Sequence, residues 1–154
     1  LLMLLSIITQ AKQTAAAGFG LKTFRRTGGR DGNGYTAALT FKGKAVAFLT
    51  QDGSGGSTHL GWMASDKPGV PDARASLAAI RIEVEAASGW VDEGDIADGL
   101  VDWNDLLKEA RRKTCFIVPS EEYHMLTIKQ SPSPELRAYI GKKFPGAVIL
   151  NDLV

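Results

Sequence analysis

Apolar and polar residues alternate from Tyr35 to Phe41, which predicts a β-strand with one buried face. A second β-prone run covers residues 45–50, and Lys42-Gly43 between the two runs predicts a two-residue hairpin turn. Glycine at the second turn position tolerates the positive φ that so tight a turn requires. With shorter runs on either side, the pattern predicts an antiparallel sheet within about residues 20–63.

The middle of the chain has the longer period of an α-helix. Residues 72–88 are rich in alanine, and their length favours a helix even though residues 80–85 alternate as a strand would. Over residues 95–113 one apolar stripe recurs with helical spacing, formed by Ile96, Leu100, Trp103, Leu107 and Ala110. Acidic residues lie in the first turn of this segment and basic residues in the last, as the helix macrodipole favours.

The last third of the chain predicts a second, smaller set of elements. Residues 114–118 and 123–129 have the pattern of two paired strands, and Ser133-Pro134 supplies an N-cap followed by a proline at the first helical position. This order of strands, helices and strands predicts an α+β fold with antiparallel pairing, not a doubly wound sheet. Its predicted parts are antiparallel hairpins at about 20–63 and 114–129, packed with two or three amphipathic helices at about 72–88, 95–113 and 133–144.

A chain of 154 residues has the usual size of one globular domain. Residues 1–17 are predicted to be a short helix or an extension, and residues 18–154 to be a single α+β domain. The apolar run at residues 1–8 is far shorter than the roughly 20 residues that span a bilayer, and no basic residue precedes it as in a secretory signal. We therefore expect no membrane partner.

Charge divides the predicted domain into a basic β part, residues 18–65, and an acidic helical and mixed part, residues 66–154. Up to residue 65 the chain has seven basic and two acidic side chains, whereas the remainder has eleven basic and fifteen acidic ones. Residues 83–105 hold eight acidic side chains and no Lys or Arg. Two parts of opposite charge either steer different partners or attract each other within the fold.

The basic part mixes cationic and aromatic side chains, as proteins that bind single-stranded nucleic acid do. The candidate contacts to nucleic acid or another anionic surface are Lys22, Arg25, Arg26, Arg30, Lys42 and Lys44. The alternative is that Tyr35, Leu39 and Phe41 share the buried face of the sheet while the lysines only flank a turn. The tendency of large aromatic side chains to be buried favours this alternative.

Two glycine-rich segments, residues 31–34 and 52–56, have backbone amides and carboxylates that suit a phosphate or a cation. Neither matches a phosphate-binding loop, a dinucleotide fingerprint or a calcium loop. The turn preferences of Gly and Asp favour plain connections between strands.

Catalytic and metal-binding patterns are missing from the sequence. Cys115 is the single cysteine and lies in an apolar strand pattern, which favours a buried thiol in a reducing compartment. The two histidines, His59 and His124, are not spaced from it as a nucleophilic pair or a zinc site would be. We expect no catalytic residues, no metal, no cofactor and no enzymatic activity.

Several segments resemble small uncharacterised accessory proteins of bacteriophages and prophages. The residues that carry the similarity are 32–47, 52–56, 112–116 and 133–140, and the resemblance spans most of the chain from about Gly18 onward. The resemblance implies a phage accessory role in the cytoplasm of the bacterial host. Inhibitors of host defence and proteins that handle nucleic acids are both common among such accessory proteins.

Two functions follow as hypotheses. The preferred one is a non-catalytic interaction protein that binds and inhibits or modulates a host or defence protein, for example a CRISPR-like one. In this hypothesis Trp62, Trp90 and Trp103 are the candidate interface anchors, because tryptophan is enriched in binding hot spots. The alternative is a nucleic-acid-binding protein that uses the basic, aromatic-bearing sheet.

Overall fold

A computed structural model describes residues 3–121 and 124–154 of the chain. The chain divides into two compact units. The larger unit comprises residues 10–101, and the described residues of the smaller unit are 3–9, 102–121 and 124–154. The first helix, α1, runs from Met3 to Ala16 within the segment that was predicted to be a short helix or an extension.

The larger unit is built on a four-stranded antiparallel sheet in which each strand pairs with the next along the chain. The prediction of an antiparallel sheet within residues 20–63 is confirmed. The four strands are β1 (Phe19–Gly28), β2 (Gly34–Phe41), β3 (Lys44–Gln51) and β4 (His59–Trp62).

Lys42 and Gly43 form the tight turn between β2 and β3, as the sequence predicts. Their φ angles are 49° and 84°, so both residues have the left-handed conformation of a type I′ hairpin turn. Phe41 pairs with Lys44 directly across this turn. A lysine at the first turn position is unusual, because positive φ strains residues that have a Cβ.

The pairing register of this sheet shifts by one residue at three places: in β3, between Lys22 and Arg25 of β1, and between Arg26 and Gly28 of β1. The first two shifts, called the two bulges below, affect the outer face. Thr40 of β2 pairs with Ala45 of β3, and the next pair is Leu39 with Ala47. Val46 of β3 is therefore the extra residue. In β1, Lys22 pairs with Ala38 and the next recorded pair is Arg25 with Thr36. Such bulges reverse the face on which all subsequent side chains lie.

The inner face of the sheet packs against two helices to form the core of the larger unit. Helix α2 covers Val70–Ser88 and helix α3 covers Glu93–Ala110, of which residues up to 101 belong to this unit. Leu39, Leu49 and Leu77 are almost completely buried in this core. Burial of each such side chain contributes roughly 1.5–3 kcal/mol.

Helix α2 confirms the helix predicted at residues 72–88, including the stretch that alternates like a strand. Val84 is buried while Ile82 is 62% exposed, because residues two positions apart lie on opposite sides of a helix, whereas they share one face of a strand. Helix α3 begins at Glu93 and ends three residues before the predicted boundary, where the amides of Arg112 and Lys113 both donate to the carbonyl of Glu109.

The smaller unit has a three-stranded antiparallel sheet with its first strand in the middle. Strand β5 (Thr114–Ile117) pairs with β6 (Leu126–Ile128) and with β7 (Val148–Ile149). The predicted hairpin at 114–129 is confirmed, with a shorter second strand; its predicted start at Tyr123 lies outside the described residues. These elements, with helix α4 described next, confirm the α+β class.

Helix α4 covers Pro134–Lys143 and begins as the sequence predicts. The hydroxyl of Ser133 accepts a hydrogen bond from the amide of Leu136, at 3.1 Å, and caps the helix. Leu136 and Ile140 pack with Phe116 in the core of the smaller unit.

Candidate functional site

The outer face of the four-stranded sheet carries two rows of side chains. Cross-strand partners lie on the same face of a sheet, so the pairings define which residues are neighbours. One row is Lys22, Ala38, Phe48 and Gly61; the adjacent row is Arg25, Thr36, Thr50 and His59. In the second row all four residues are exposed, and in the first row Lys22 and Phe48 are exposed.

Phe48 is the prominent apolar side chain of this outer face. It is 57% exposed, whereas Tyr35 and Phe41 on the inner face are 2% and 6% exposed. Its cross-strand partner is Gly61, which has no side chain to cover the ring. A Cβ at Gly61 would lie 3.8 Å from Nε2 of His59, so the imidazole is beside this gap. Phe48 and His59 thus flank a space that is open to solvent.

The two bulges determine which side chains reach the outer face. If β3 continued from the turn in regular register with no bulge, Phe48 would pair with Ala37, whose side chain lies in the core. Without the bulge in β1, Arg25 would pair with the inward-facing Tyr35. Thr23 lies within the β1 bulge at a φ of 51°, which is strained for a β-branched residue. Strained backbone and bulges are concentrated near functional sites.

Lys22 and Arg25 are the two predicted contact residues that lie on the outer face. The Nζ of Lys22 donates a hydrogen bond of 2.9 Å to the carbonyl of Gly43 in the β2–β3 turn. Arg25 extends from the next row of the sheet. The ammonium and the guanidinium therefore lie on the same face as Phe48.

The other four predicted cations lie around the sheet. Arg26 pairs with Tyr35 on the inner side of the edge strand, and its guanidinium is 5.2 Å from the centroid of the Phe24 ring. Phe24 in turn stacks on Tyr35 at 5.1 Å. Arg30 lies in the loop after β1, while Lys42 and Lys44 lie at the β2–β3 turn. All six predicted cations are exposed, but they do not form one patch on one face.

Two acidic residues of this region, Asp31 and Asp52, are engaged in their own loops. Asp31 accepts a hydrogen bond from the amide of Asn33, and Asp52 accepts bonds from the amide and the hydroxyl of Ser54. The bond from the Ser54 hydroxyl is the main reason that the pKa of Asp52 is below its ordinary value. Neither carboxylate lies in the two rows of the outer face, where the charged side chains are basic.

The two glycine-rich loops pack backbone against backbone. The amide of Asp31 donates a 2.7 Å hydrogen bond to the carbonyl of Gly53. Gly53 has a φ of 75°, and a Cβ there would lie 2.5 Å from the carbonyl oxygen of Gly28 and 2.8 Å from the amide nitrogen of Gly34. Glycine at position 53 thus allows the two loops to approach each other closely, which is a structural role and not a sign of ligand binding.

A polar network at the start of α3 lies against the inner side of the same sheet. The hydroxyl of Tyr35 donates to Oδ1 of Asp98 at 2.5 Å, and the hydroxyl of Thr58 donates to the same oxygen at 3.1 Å. The amide of Thr58 donates to Asp95 at 3.4 Å. Burial, with smaller contributions from Asp92 and Asp98, raises the pKa of Asp95 above its ordinary value. Sequence patterns did not reveal this network because Tyr35 and Asp98 are 63 positions apart.

The three candidate tryptophan anchors differ in exposure. Trp90, in the connection between α2 and α3, is 78% exposed, whereas Trp103 is 8% exposed and its ring is buried. Trp62 is half-buried on β4, with the guanidinium of Arg74 5.7 Å from its ring centroid. Trp62 and Trp90 line one groove of about 370 Å³ in the larger unit. The remaining residues of the groove are Leu60, Arg81, Val91, Asp92 and Glu93.

The sulfur and imidazole groups do not form a reactive centre within the part of the chain that the structure describes. Cys115 is completely buried on β5, and burial raises the pKa of its thiol, which therefore stays protonated at neutral pH. His124 is exposed after the 3₁₀ turn at Pro119–Glu121. Among residues 3–121 and 124–154, no group of three or more His, Cys, Asp and Glu side chains is arranged to hold a metal ion.

No protein-family model, curated protein or solved structure matches the chain. In the described residues, none of the helices has both the length and the apolar character needed to cross a bilayer.

Proposed function

We propose that the protein is a non-catalytic binding protein that holds single-stranded nucleic acid on the outer face of its four-stranded sheet. The observation that carries the proposal is the convergence of two bulges, which place Arg25 and Phe48 on the same exposed face as Lys22. An exposed aromatic ring on the same face as cationic side chains is an arrangement by which proteins bind unpaired bases and their phosphates.

Each part of the outer face has a role in this proposal. A base stacks on Phe48 and enters the space above Gly61, beside the imidazole of His59. The side chains of Lys22 and Arg25 neutralise phosphates on one side of that base. The exposed hydroxyls of Thr36 and Thr50 donate hydrogen bonds to phosphate or sugar oxygens. A single strand fits better than a duplex because stacking on a side chain requires an unpaired base.

The principal test is the affinity of Phe48→Ala for a labelled oligothymidylate, measured by fluorescence anisotropy at low salt. Loss of one stacked base is expected to weaken binding about tenfold, within the roughly 1–3 kcal/mol that one stacked base contributes. Phe48→Trp is expected to retain the affinity, and Ile82→Ala, which truncates an exposed apolar side chain of α2, is the matched control. Wild-type protein that does not bind the oligonucleotide at low salt contradicts the proposal.

Gly61→Val tests the space beside Phe48 separately. Gly61 does not have a positive φ, and a Cβ there makes only an ordinary contact with His59, so the variant is expected to fold. Its side chain would occupy the space assigned to the base and would weaken oligonucleotide binding several-fold. An unchanged affinity would mean that the base lies elsewhere.

We propose as a second candidate that the protein is a phage-type accessory protein that docks on a host or defence protein in the bacterial cytoplasm. The observation that favours it is Trp90, because a tryptophan that is 78% exposed is a typical binding hot spot. Tagged wild-type protein is expected to retain one defined protein from a bacterial lysate in stoichiometric amount, and Trp90→Ala to lose it. Equal retention of the host protein by the wild type and by Trp90→Ala, or retention by neither, would contradict this candidate.

A further inference from the structure

The groove between Trp62 and Trp90 is lined by aromatic rings and by more acidic than basic side chains. Arg81 is the single cation among the lining residues, and its Nη1 lies 3.3 Å from Oε1 of Glu85, while its Nε lies 3.9 Å from Oε1 of Glu93. Two carboxylates therefore already neutralise this guanidinium. Asp92 adds a further negative charge to the lining.

Further acidic residues of the larger unit lie close to Trp90 in the sequence: Glu83 and Glu85 precede it, and Asp95 follows Glu93. Aromatic rings attract cations through their negative faces, and Trp is the best residue for this interaction. Trp62 already accepts the guanidinium of Arg74, at 5.7 Å from its ring centroid, so one wall of the groove shows this geometry within the chain.

We propose that the groove binds a basic segment of a partner protein, with an arginine or lysine side chain against Trp90 and its charge facing Asp92 and Glu93. The volume of about 370 Å³ is at the low end of the range of roughly 300–1,000 Å³ for ligand pockets, which suits one or two side chains. The exposed ring of Trp90 gains burial when the segment docks. This inference rests on the second candidate function and names the chemistry of its partner.

The first experiment titrates the whole protein with an arginine–glycine repeat peptide and follows tryptophan fluorescence and heat release. Glutamate–glycine and serine–glycine peptides of the same length are the comparison probes. The arginine peptide is expected to bind at least about tenfold more tightly than the other two, because only it carries cations for the rings and carboxylates. Equal binding of the three peptides, or no binding of the arginine peptide, overturns the proposal.

Variants then assign the binding to the groove. Trp90→Ala is expected to weaken arginine-peptide binding about tenfold, and Trp90→Phe to restore part of it. The double variant Asp92→Asn with Glu93→Gln removes two charges, and the asparagine side chain still caps α3 through the amide of Gly94. It is expected to weaken binding and to reduce its dependence on salt. Ile82→Ala, which truncates an exposed apolar side chain of α2 outside the groove lining, is the control that should bind as the wild type does.

Three outcomes separate this inference from the function on which it rests. If the arginine peptide binds in the groove but no host protein is retained, the host-docking function fails and the groove assignment stands. If a host protein is retained through Trp90 but the double variant Asp92→Asn with Glu93→Gln retains it equally well, the partner does not bind through a basic segment and the proposal is overturned. If the chain instead forms dimers that Trp90→Ala abolishes in sedimentation, a second copy is the occupant and the proposal is overturned.

Discussion

On the inner face of the four-stranded sheet, the rings of Phe19 and Phe41 lie 4.8 Å apart and are almost fully buried, whereas Phe48 on the outer face is 57% exposed. Both faces belong to the same strands and contain the same residue type. The inner aromatic side chains gain free energy from the core of their own chain, while Phe48 remains available to gain it from a ligand. Exposure, and not residue type, therefore distinguishes the rings that pack in the core from the ring that we propose for binding.

Two neighbouring arginines differ in the face of the sheet on which they lie, although both are exposed. Arg26 is on the inner side of the edge strand, where its guanidinium contacts the ring of Phe24. Arg25, its neighbour in sequence, is on the outer face in the row that ends at His59. Adjacent residues of a strand lie on opposite faces. The comparison of the two faces therefore assigns one arginine to the structure of the sheet and the other to the proposed interface.

Substitutions on the two faces are expected to differ most in their effect on the free energy of unfolding. Leu39→Ala removes a completely buried side chain of the inner face and is expected to lower the free energy of unfolding by about 3 kcal/mol. Phe48→Ala is expected to change it by less than about 0.5 kcal/mol, as exposed positions usually do. Urea denaturation of both variants measures the difference. A similar loss in both would show that Phe48 supports the fold and would remove the distinction.

A smaller effect is expected at the polar edge of the inner face. Tyr35→Phe keeps the ring that stacks on Phe24 but removes the hydroxyl that donates to Asp98. Because hydrogen bonds to charged groups contribute about 1.5–3 kcal/mol and Thr58 still donates to Asp98, a loss near the low end is expected. Urea denaturation gives the value, with Thr50→Val on the outer face as the control. No loss would mean that the hydroxyl has an equivalent partner in water.

The smallest effect concerns pH. Burial raises the pKa of Asp95 above its ordinary value of 3.8, so the ionised carboxylate is less favourable in the folded chain than in the unfolded chain. Asp95→Asn keeps an oxygen that accepts the hydrogen bond from the amide of Thr58. The variant is therefore expected to be slightly more stable than the wild type at neutral pH.

The gain from Asp95→Asn should disappear below about pH 3.8, because Asp95 is then protonated in both states of the wild type. Urea midpoints at neutral pH and at about pH 3 provide the test. A gain of equal size at both values would show that the charge of Asp95 is not its cause.

The elements of the fold were predictable because each has a local signal. The pair Lys42-Gly43 predicts its hairpin, Ser133 predicts the start of α4, and the apolar stripe predicts α3. The candidate interface was predictable only in part: the cations were identified from charge, but Phe48 was not selected among the aromatic residues.

The position of Phe48 could not be predicted because it depends on the bulge at Val46. A plain two-residue turn places residue 48 opposite Ala37 and so in the core, and nothing in the local pattern marks the extra residue. The network of Tyr35, Thr58 and Asp98 was missed for a similar reason. It joins positions that are distant in the sequence and come together only after the strands and helices have packed.

The bulge at Val46 also constrains how this protein is able to evolve. Replacing a residue of β3 changes one side chain, but a one-residue deletion after the bulge, with Val46 still the extra residue, would turn Leu49 outward and Phe48 inward at the same time. Point substitutions are thus tolerable over much of this strand, whereas the number of residues after the bulge is constrained as long as the bulge is kept. Related sequences that keep the bulge should differ in residue type between Ala47 and Gln51, and not in the number of residues.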